Sequence, residues 1–494
     1  MSLETRIAAL AAAVGADVKA LTTALASKAP LVSPALTGAP TAPTAATGNS
    51  STQIATTAFV KTEAQAIILA ALSAQANSIN NIGIPGKQGF GVGIAPSLPA
   101  NMAKLYGTED PASDNYGNYQ YSDGSIMCYI PAFYYKYGTG ANGLALNVVD
   151  IKSFYSFVDV ATANAAGYAL HRAFYNGGTN CPGFFVDKYL VSKNGSVASS
   201  LKNGIVLTSA IRGGLADSQF SAVGQANAFY GAVGVAKTRG ASFHPKTIFQ
   251  NAALALLANA HGSASTGTTY NAWYDAAGVK NFPKGNNNNA LGDAQDVSIA
   301  YVWDGNATYA GCGKTGSANF FSKTTHNGQN CGVADLNGLV WEIFPFGLTS
   351  NGASYFLLNT SVDVANVTSG NTLATDAWGA TGLAAMYTNI GATYDVLTAS
   401  NTNKVFGSAA QVLSAATSGT AWAMAGAGVP LVSGIGGSNQ FGSDYMYDAR
   451  PNEMCPLASG SWNFSSNSGV WALFCGGVRD HSYDNYGLRA ALYL

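Results

Sequence analysis

Residues 461–494, SWNFSSNSGVWALFCGGVRDHSYDNYGLRAALYL, join two short apolar runs through a stretch without a single aliphatic side chain, so a fold that contains them must hold that stretch at its surface. Val470, Trp471, Ala472 and Leu473 read as a strand, Gly487 permits a close backbone approach, and Leu488, Ala490, Leu492 and Leu494 alternate as in a half-buried strand. Between them Asp480, His481, Ser482, Tyr483, Asp484, Asn485 and Tyr486 offer hydrogen-bond donors, acceptors or rings, and none is Ile, Leu or Val. Tyr rings give large contact area for little rotamer entropy, and small polar groups adapt their hydrogen bonds, which is why evolved binding surfaces favour both. The alternative is an ordinary polar loop before a last strand.

At the other end, Leu3, Ile7, Leu10, Val14, Leu21 and Leu25 follow three- and four-residue steps, the spacing of one helical stripe. The stripe is broken where Asp17 takes the expected core position and Val18 stands beside it. Such an Ala-rich helix cannot bury the stripe alone, so it is expected to zip against copies of itself. Residues 7–16 could instead form a signal-peptide core, but Glu4 offsets Arg6 and the positively charged leader is missing. Residues 33–60 then carry Pro34, Pro40 and Pro43 among Thr, Ala and Gly, which excludes a helix and leaves an extended segment. Residues 57–80 return to helix, with Phe59, Ile67, Ile68 and Leu72 apolar, until Gly83, Pro85 and Gly86 end it.

Only 10% of residues are charged, against about 25% in an average domain, while 57 Gly and abundant Ser, Thr, Asn and Ala supply polarity without charge. A net charge of −1 gives no electrostatic footprint for nucleic acid or an anionic membrane. No unbroken apolar run reaches about 18 residues, so no membrane insertion is expected. In the large remainder, residues 125–137 read as a strand bounded by Gly124 and Gly138. Residues 247–260 read as a helix, and Asn286 to Asn289 as a loop.

Several of these segments resemble known families. S-W-N at 461–463, G-V-W-A-L at 469–473, Arg479 and G-L-R at 487–489 are similar to the C-terminal end of the C-type-lectin-like, sulfatase-modifying-factor fold, and among its members to the variable receptor-binding proteins of phages. Residues 331–343, CGVADLNGLVWEI, are similar to that fold's G-V-x-D-x-x-G-N-V-W-E-W segment, with Leu339 where the family has Asn. Residues 183–189, GFFVDKY, resemble its G-F-Y-V-D-K-Y strand, and residues 127–133 its opening M-x-Y-I-P-x-F. Residues 33–60 resemble, at nearly every position, the S-P-x-L-T-G-x-P-T-A-P-T…T-x-Q-I-A-T-T-A-F-V module of tailed-phage tail fibres. Some proteins of this kind are diversified by retroelements; each of residues 480–486 is Asn or one adenine replacement away from an Asn codon.

The resemblances imply an α+β chain: a coiled-coil helix at 1–30, an extended Pro/Thr-rich tail-fibre module at 31–60, a second stalk helix at 61–81, and a lectin-like head of short strands and loops at 82–494, with 355–437 an insertion. They imply a phage tail-fibre receptor-binding protein, homotrimeric, made in the host cytoplasm and carried on the virion. Its stalk would attach to a baseplate or proximal fibre protein, and its head would touch a glycan or outer-membrane protein of the bacterial surface. Phe464, Phe474, Asp480, His481, Tyr483, Asp484 and Tyr486 are the expected receptor contacts, with Trp341 and Trp462 as core supports. A structural fibre subunit without receptor contact is the alternative.

The resembled fold also hosts formylglycine-generating enzymes, which carry a closely spaced reactive Cys pair. Here Cys475 stands alone, so no catalytic residue is expected. The six cysteines include no C-x-x-C, and buried thiols are expected rather than disulfides. The five histidines form no H-x-x-x-H, and His326 with Cys331 and Asp335 reads as loop and core rather than a metal or Cys-His site, so neither metal nor cofactor is expected. Arg450-Pro451-Asn452-Glu453 resembles the calcium-lectin E-P-N motif only weakly, because Arg replaces an acidic ligand.

Overall fold

A computed structural model of the chain describes residues 1–28, 38, 41–51, 54–64, 81–276, 283, 289–391, 402–405, 410–431 and 444–494. Most of the expected second stalk helix, part of the Pro-rich module and most of the asparagine loop at 286–289 lie outside these residues. The described chain is α+β, with many short strands in several sheets. It forms two compact units, Met1–Ala74 and Gln75–Leu494.

In the first unit Leu3–Ala26 is an α-helix without a buried residue. Ser2 caps it, its Oγ accepting from the Thr5 N–H at 3.3 Å, and Glu4 in the first turn meets the positive end of the helix dipole. By length and composition this helix could cross a membrane. The sequence expectation counted unbroken apolar runs, which Asp17 and Lys19 interrupt; the alanines on either side of them keep the average hydropathy high. Farther along, Thr56 Oγ1 accepts from the Phe59 N–H at 3.2 Å and starts the helical turns at 57–64.

Two six-stranded sheets organise the second unit. The first runs Met102–Lys104, Asn118–Tyr121, Ile126–Pro131, Gly183–Asp187, Ala490–Tyr493, His244–Pro245, antiparallel throughout. The second runs Thr402–Val405, Tyr445–Asp448, Gly469–Cys475, Leu457–Ser459, Trp341–Ile343, Tyr486–Gly487. Its Tyr445–Asp448 and Gly469–Cys475 strands are parallel, as are Trp341–Ile343 and Tyr486–Gly487. The last eight residues therefore leave the edge of one sheet and enter the middle of the other.

Successive side chains of these strands feed two cores. Cys128, Ile130, Phe184, Val186 and Ala491 join a core containing the helix Ile248–Ala264, while Met127, Tyr129, Phe185, Ala490 and Leu492 join a second core containing Ala232, Val235 and Ala236 of the helix Gly231–Lys237. Trp471 and Leu473 likewise face the first core and Ala472 the second. The closing strand is thus buried on both faces, not half-buried as its alternation suggested, because Ala490 and Leu492 on one face and Ala491 on the other are all apolar.

The run at 125–137 also differs from its reading as one strand. Pro131 has no N–H to continue the ladder. The Ala132 N–H donates to Pro182 O at 2.8 Å, and Phe133–Tyr137 pairs instead with Val149–Ser153 and Ala169–Leu170 in a three-stranded sheet. The expected helix runs Ile248–Ala264, opened by a capping box in which Gln250 N–H donates to Thr247 Oγ1 (3.1 Å) and Thr247 N–H to Gln250 Oε1 (2.9 Å). Within 355–437, Tyr355–Leu358 pairs with Leu348–Ser350 and Tyr387–Gly391, and the Trp422 indole donates to Leu170 O at 2.9 Å, so parts of this stretch belong to the first core.

All six cysteines are buried and free, and Trp341 and Trp462 are buried. His326, Cys331 and Asp335 are each bonded to other groups: His326 to Val333 N and Gly91 O, Cys331 to Asn327, and Asp335 to Thr315 and Gly316.

Candidate functional site

Gly469–Cys475 and Tyr486–Gly487 occupy the middle and the edge of the second sheet, so the chain between them must cross the sheet's end. The frame beneath is fixed by close packing. A side chain at Gly469 would collide with the Asp444 carboxylate, whose Oδ2 accepts from Trp471 N–H at 2.7 Å, and one at Gly487 would meet Leu207 O at 2.8 Å.

Arg479 anchors the start of the crossing. Its buried guanidinium donates to Pro345 O, to Thr349 Oγ1 at 3.3 Å and to Met454 O at 3.4 Å. From below, the N–H groups of Phe229 and Tyr230, just before the helix Gly231–Lys237, donate to His481 O (3.1 Å) and Arg479 O (3.2 Å). Ser209 holds the far side: its Oγ accepts from Tyr483 N–H at 2.9 Å, its carbonyl accepts from Ser482 Oγ at 2.7 Å, and its N–H donates to Tyr486 O at 2.8 Å. Ala210 N–H donates to Tyr483 O at 3.0 Å, and Trp341 N–H to Asn485 O at 2.9 Å. The loop backbone is therefore bonded at both ends and in the middle.

Asp480, Ser482 and Tyr483 are exposed, Tyr483 by 46%; His481, Asp484, Asn485 and Tyr486 are half-buried, and none of the seven is buried. Rings of Phe229, His481, Tyr483 and Tyr486 form one cluster. Tyr483 lies 4.9 Å from Tyr486 and stands edge-on to His481 at 5.5 Å, while Phe229 backs His481 at 5.7 Å and Tyr486 at 5.2 Å. Burial pushes the Tyr486 phenol up, with Tyr483 and Asp484 adding to it. Burial also raises the Asp484 carboxyl, against the pull of Arg212, a buried guanidinium 4.8 Å over the Trp462 ring.

Phe464 and Phe474 sit apart from this cluster, on Trp341. Phe464 stacks on Tyr445 (5.1 Å) and meets Trp341 edge-on at 5.0 Å; Phe474 stacks on Tyr447 at 5.0 Å and lies 5.9 Å from Trp341. Both are half-buried against the second core and offer only part of their rings to solvent. Of the seven expected contacts, then, His481, Tyr483 and Tyr486 come together, Asp480 and Asp484 flank them, and the two Phe form a neighbouring aromatic shelf. Sequence reasoning missed Ser209, Arg212, Phe229 and Arg479's anchoring bonds; the mixed polar and apolar 205–230 region carries no periodicity that would have marked it.

The arrangement offers stacking faces and hydrogen-bonding groups on a fixed backbone. The nearest thiol, Cys475, is buried, and burial followed by the nearby Asp448 carboxylate drives its pKa well above the ordinary thiol range, away from a nucleophilic thiolate. Among the described residues no group of three or more His, Cys, Asp or Glu is placed to hold a metal ion.

No family profile and no curated protein matches the chain. Among solved structures it is similar to the Major Tropism Determinant M1 Variant, with a TM-score of 0.27 and 13% identity over 75% of this chain and 63% of that one. It is also similar to the Major Tropism Determinant U1 Variant, with a TM-score of 0.28 and 12% identity over 81% and 73% of the two chains. The chain thus spans less than two thirds of the length of the first.

Proposed function

We propose that this chain is a tail-fibre receptor-binding protein of a tailed phage, carried on the virion, whose C-terminal unit is a C-type-lectin-like head that adsorbs to the bacterial surface. The observation that carries the reading is the loop 480–486, whose backbone is bonded to Ser209, Phe229 and Trp341 while Asp480, Ser482 and Tyr483 face solvent. A rigid backbone under adaptable side chains lowers the ordering cost of binding and lets the side chains vary without loss of fold. The tail-fibre module at 33–60 and the lectin-like segments quoted above support the assignment. The N-terminal helix, with every apolar residue of its stripe exposed, supports a homotrimeric stalk joined to a baseplate or proximal fibre protein. Binding is the mechanism: heads held together on one stalk turn modest single contacts into strong attachment. Tyr483 and His481 supply stacking faces, Asp480 and Asp484 direction, and Phe464, Phe474 and Tyr486 the apolar floor.

The test is adsorption of a phage carrying Tyr483→Ala together with Asp480→Ala. Both side chains are exposed, so thermal melting of the purified protein is expected to change little. Loss of a central aromatic contact typically costs about 2 kcal/mol per head, so adsorption is expected to slow by roughly thirtyfold or more. Unchanged adsorption by a folded double variant would assign the chain to a purely structural part of the fibre.

A further inference from the structure

The exposed residues of Leu3–Ala26 repeat with a definite period. Leu3, Ile7, Leu10, Val14, Val18, Leu21 and Leu25 are all 52 to 74% exposed. Their steps are four, three and four residues from Leu3 to Val14, then four, three and four again from Val14 to Leu25. That is an eleven-residue repeat stated twice, and at about 100° per residue all seven side chains fall within an arc of about 80°. A seven-residue register would place Asp17 on the seam and throw Val18 off it. The eleven-residue register makes the apparent break vanish: Val18 continues the stripe and Asp17 moves to its flank.

We infer that this helix packs in parallel, in register, against further copies of the same chain along an eleven-residue repeat, giving a straight or right-handed bundle instead of a left-handed coiled coil. The inference rests on the oligomeric stalk of the proposed function and adds its geometry. Charge placement selects the occupant. Glu4 and Arg6 lie about 80° to either side of the stripe, so in a parallel ring the Glu4 flank of one copy meets the Arg6 flank of the next. In an antiparallel pair Glu4 would face the far end of the helix, where Thr22, Thr23 and Ala24 carry no charge. No charged residue stands on the stripe itself.

Single-cysteine variants of the full chain test the register. Because all six native thiols are buried, an introduced thiol on the exposed helix reacts selectively. Val18→Cys and Asp17→Cys proteins are sedimented under reducing conditions, then oxidised by copper–phenanthroline in air, and interchain disulfides are scored on non-reducing gels. The inference expects an oligomer in which Cys at position 18 crosslinks at least about tenfold faster than at position 17, since only seam positions bring Cα atoms within disulfide reach. Equal or faster crosslinking at position 17 in an oligomeric protein overturns the eleven-residue register but leaves the stalk standing. A monomer in sedimentation overturns both. A monomer that also floats with phosphatidylethanolamine–phosphatidylglycerol vesicles reassigns the helix to a membrane.

Discussion

Lowering the pH from 7 to 5 is expected to remove up to about 5 kcal/mol of stability from the unit Gln75–Leu494, read as a falling urea midpoint. Four histidines carry the effect. His171, His244, His261 and His326 are buried, and burial holds their folded pKa values at about 3, about 4, about 4 and about 3. Hydrogen bonding fixes three of them as neutral rings, His171 through its Nδ1, which accepts from Ala173 N–H at 3.2 Å. His261 Nδ1 accepts from Gly86 N–H (3.0 Å) and His326 Nδ1 from Val333 N–H (3.1 Å), so Nε2 must donate to Tyr270 O and Gly91 O. A proton on either Nδ1 would oppose the N–H group it accepts from. Because the unfolded rings titrate near 6.5, the unfolded state binds more protons below that pH; the stabilisation is complete above about 6.5 and is lost progressively toward pH 3 to 4. At pH 5 each ring costs about 2 kcal/mol, and the four together about 8.

Carboxyls raised by burial work in the opposite direction, Asp293 the most. Burial raises Asp293 to about 7, so it takes up a proton in the folded state before it would in the unfolded chain and returns about 3 kcal/mol at pH 5. Asp187, Asp304 and Asp335 are raised by burial as well, but Arg239, Arg212 and Arg489 respectively limit the rise. A urea midpoint that stays constant between pH 7 and pH 5 would rule this account out. The His326→Gln variant provides the internal check: whatever its stability at pH 7, its loss between pH 7 and 5 is expected to be smaller by about 2 kcal/mol.

The parts legible in the sequence share a physical trait: their signal is local. The loop 480–486 could be seen because seven residues without Ile, Leu or Val cannot be core. The helix at 247–260 could be seen because Ile248, Ala252, Leu254, Leu256 and Leu257 crowd apolar side chains into one short window. What the sequence hid depends on distance along the chain. Ser209, which holds the loop by four bonds, stands more than 270 residues from Tyr483, and a lone serine says nothing about its partner. Burial on two faces was hidden for another reason, since Ala490 and Ala491 read as weakly apolar wherever they stand. The strand break at Pro131 was written in the sequence but masked by apolar residues on both sides. At the N-terminus, reading six apolar positions against a seven-residue template made Asp17 look like a defect, when adding Val18 gives a regular repeat.

The two sheets meet through a buried charge cluster, and removing its anion is expected to cost more stability than any other single substitution considered. Glu342, in the middle of Trp341–Ile343, is 1% exposed. Its Oε2 lies 2.8 Å from Lys246 Nζ and its Oε1 accepts from Arg489 Nε at 3.1 Å. Lys246 follows the edge strand of the first sheet and also donates to Asn251 on the helix Ile248–Ala264; Arg489 precedes that sheet's closing strand and donates to Lys188 O at 2.9 Å and to Ala334 O. One carboxylate thus ties both sheets, the central helix and the segment leaving the loop 480–486. Burial alone would raise its pKa, but the two cations outweigh burial and hold it below the ordinary value. In Glu342→Gln the shape is kept and the charge is lost, leaving Lys246 and Arg489 buried without their counter-ion, a change that costs about 3 to 5 kcal/mol. Adding Lys246→Met removes one stranded cation and is expected to restore part of that loss, because a buried pair replaced by apolar groups is often near neutral. Urea unfolding of wild type, the single variant and the double variant measures both steps. A single variant within 1 kcal/mol of wild type, or a double variant less stable than the single, would mean the cluster does not tie the sheets together.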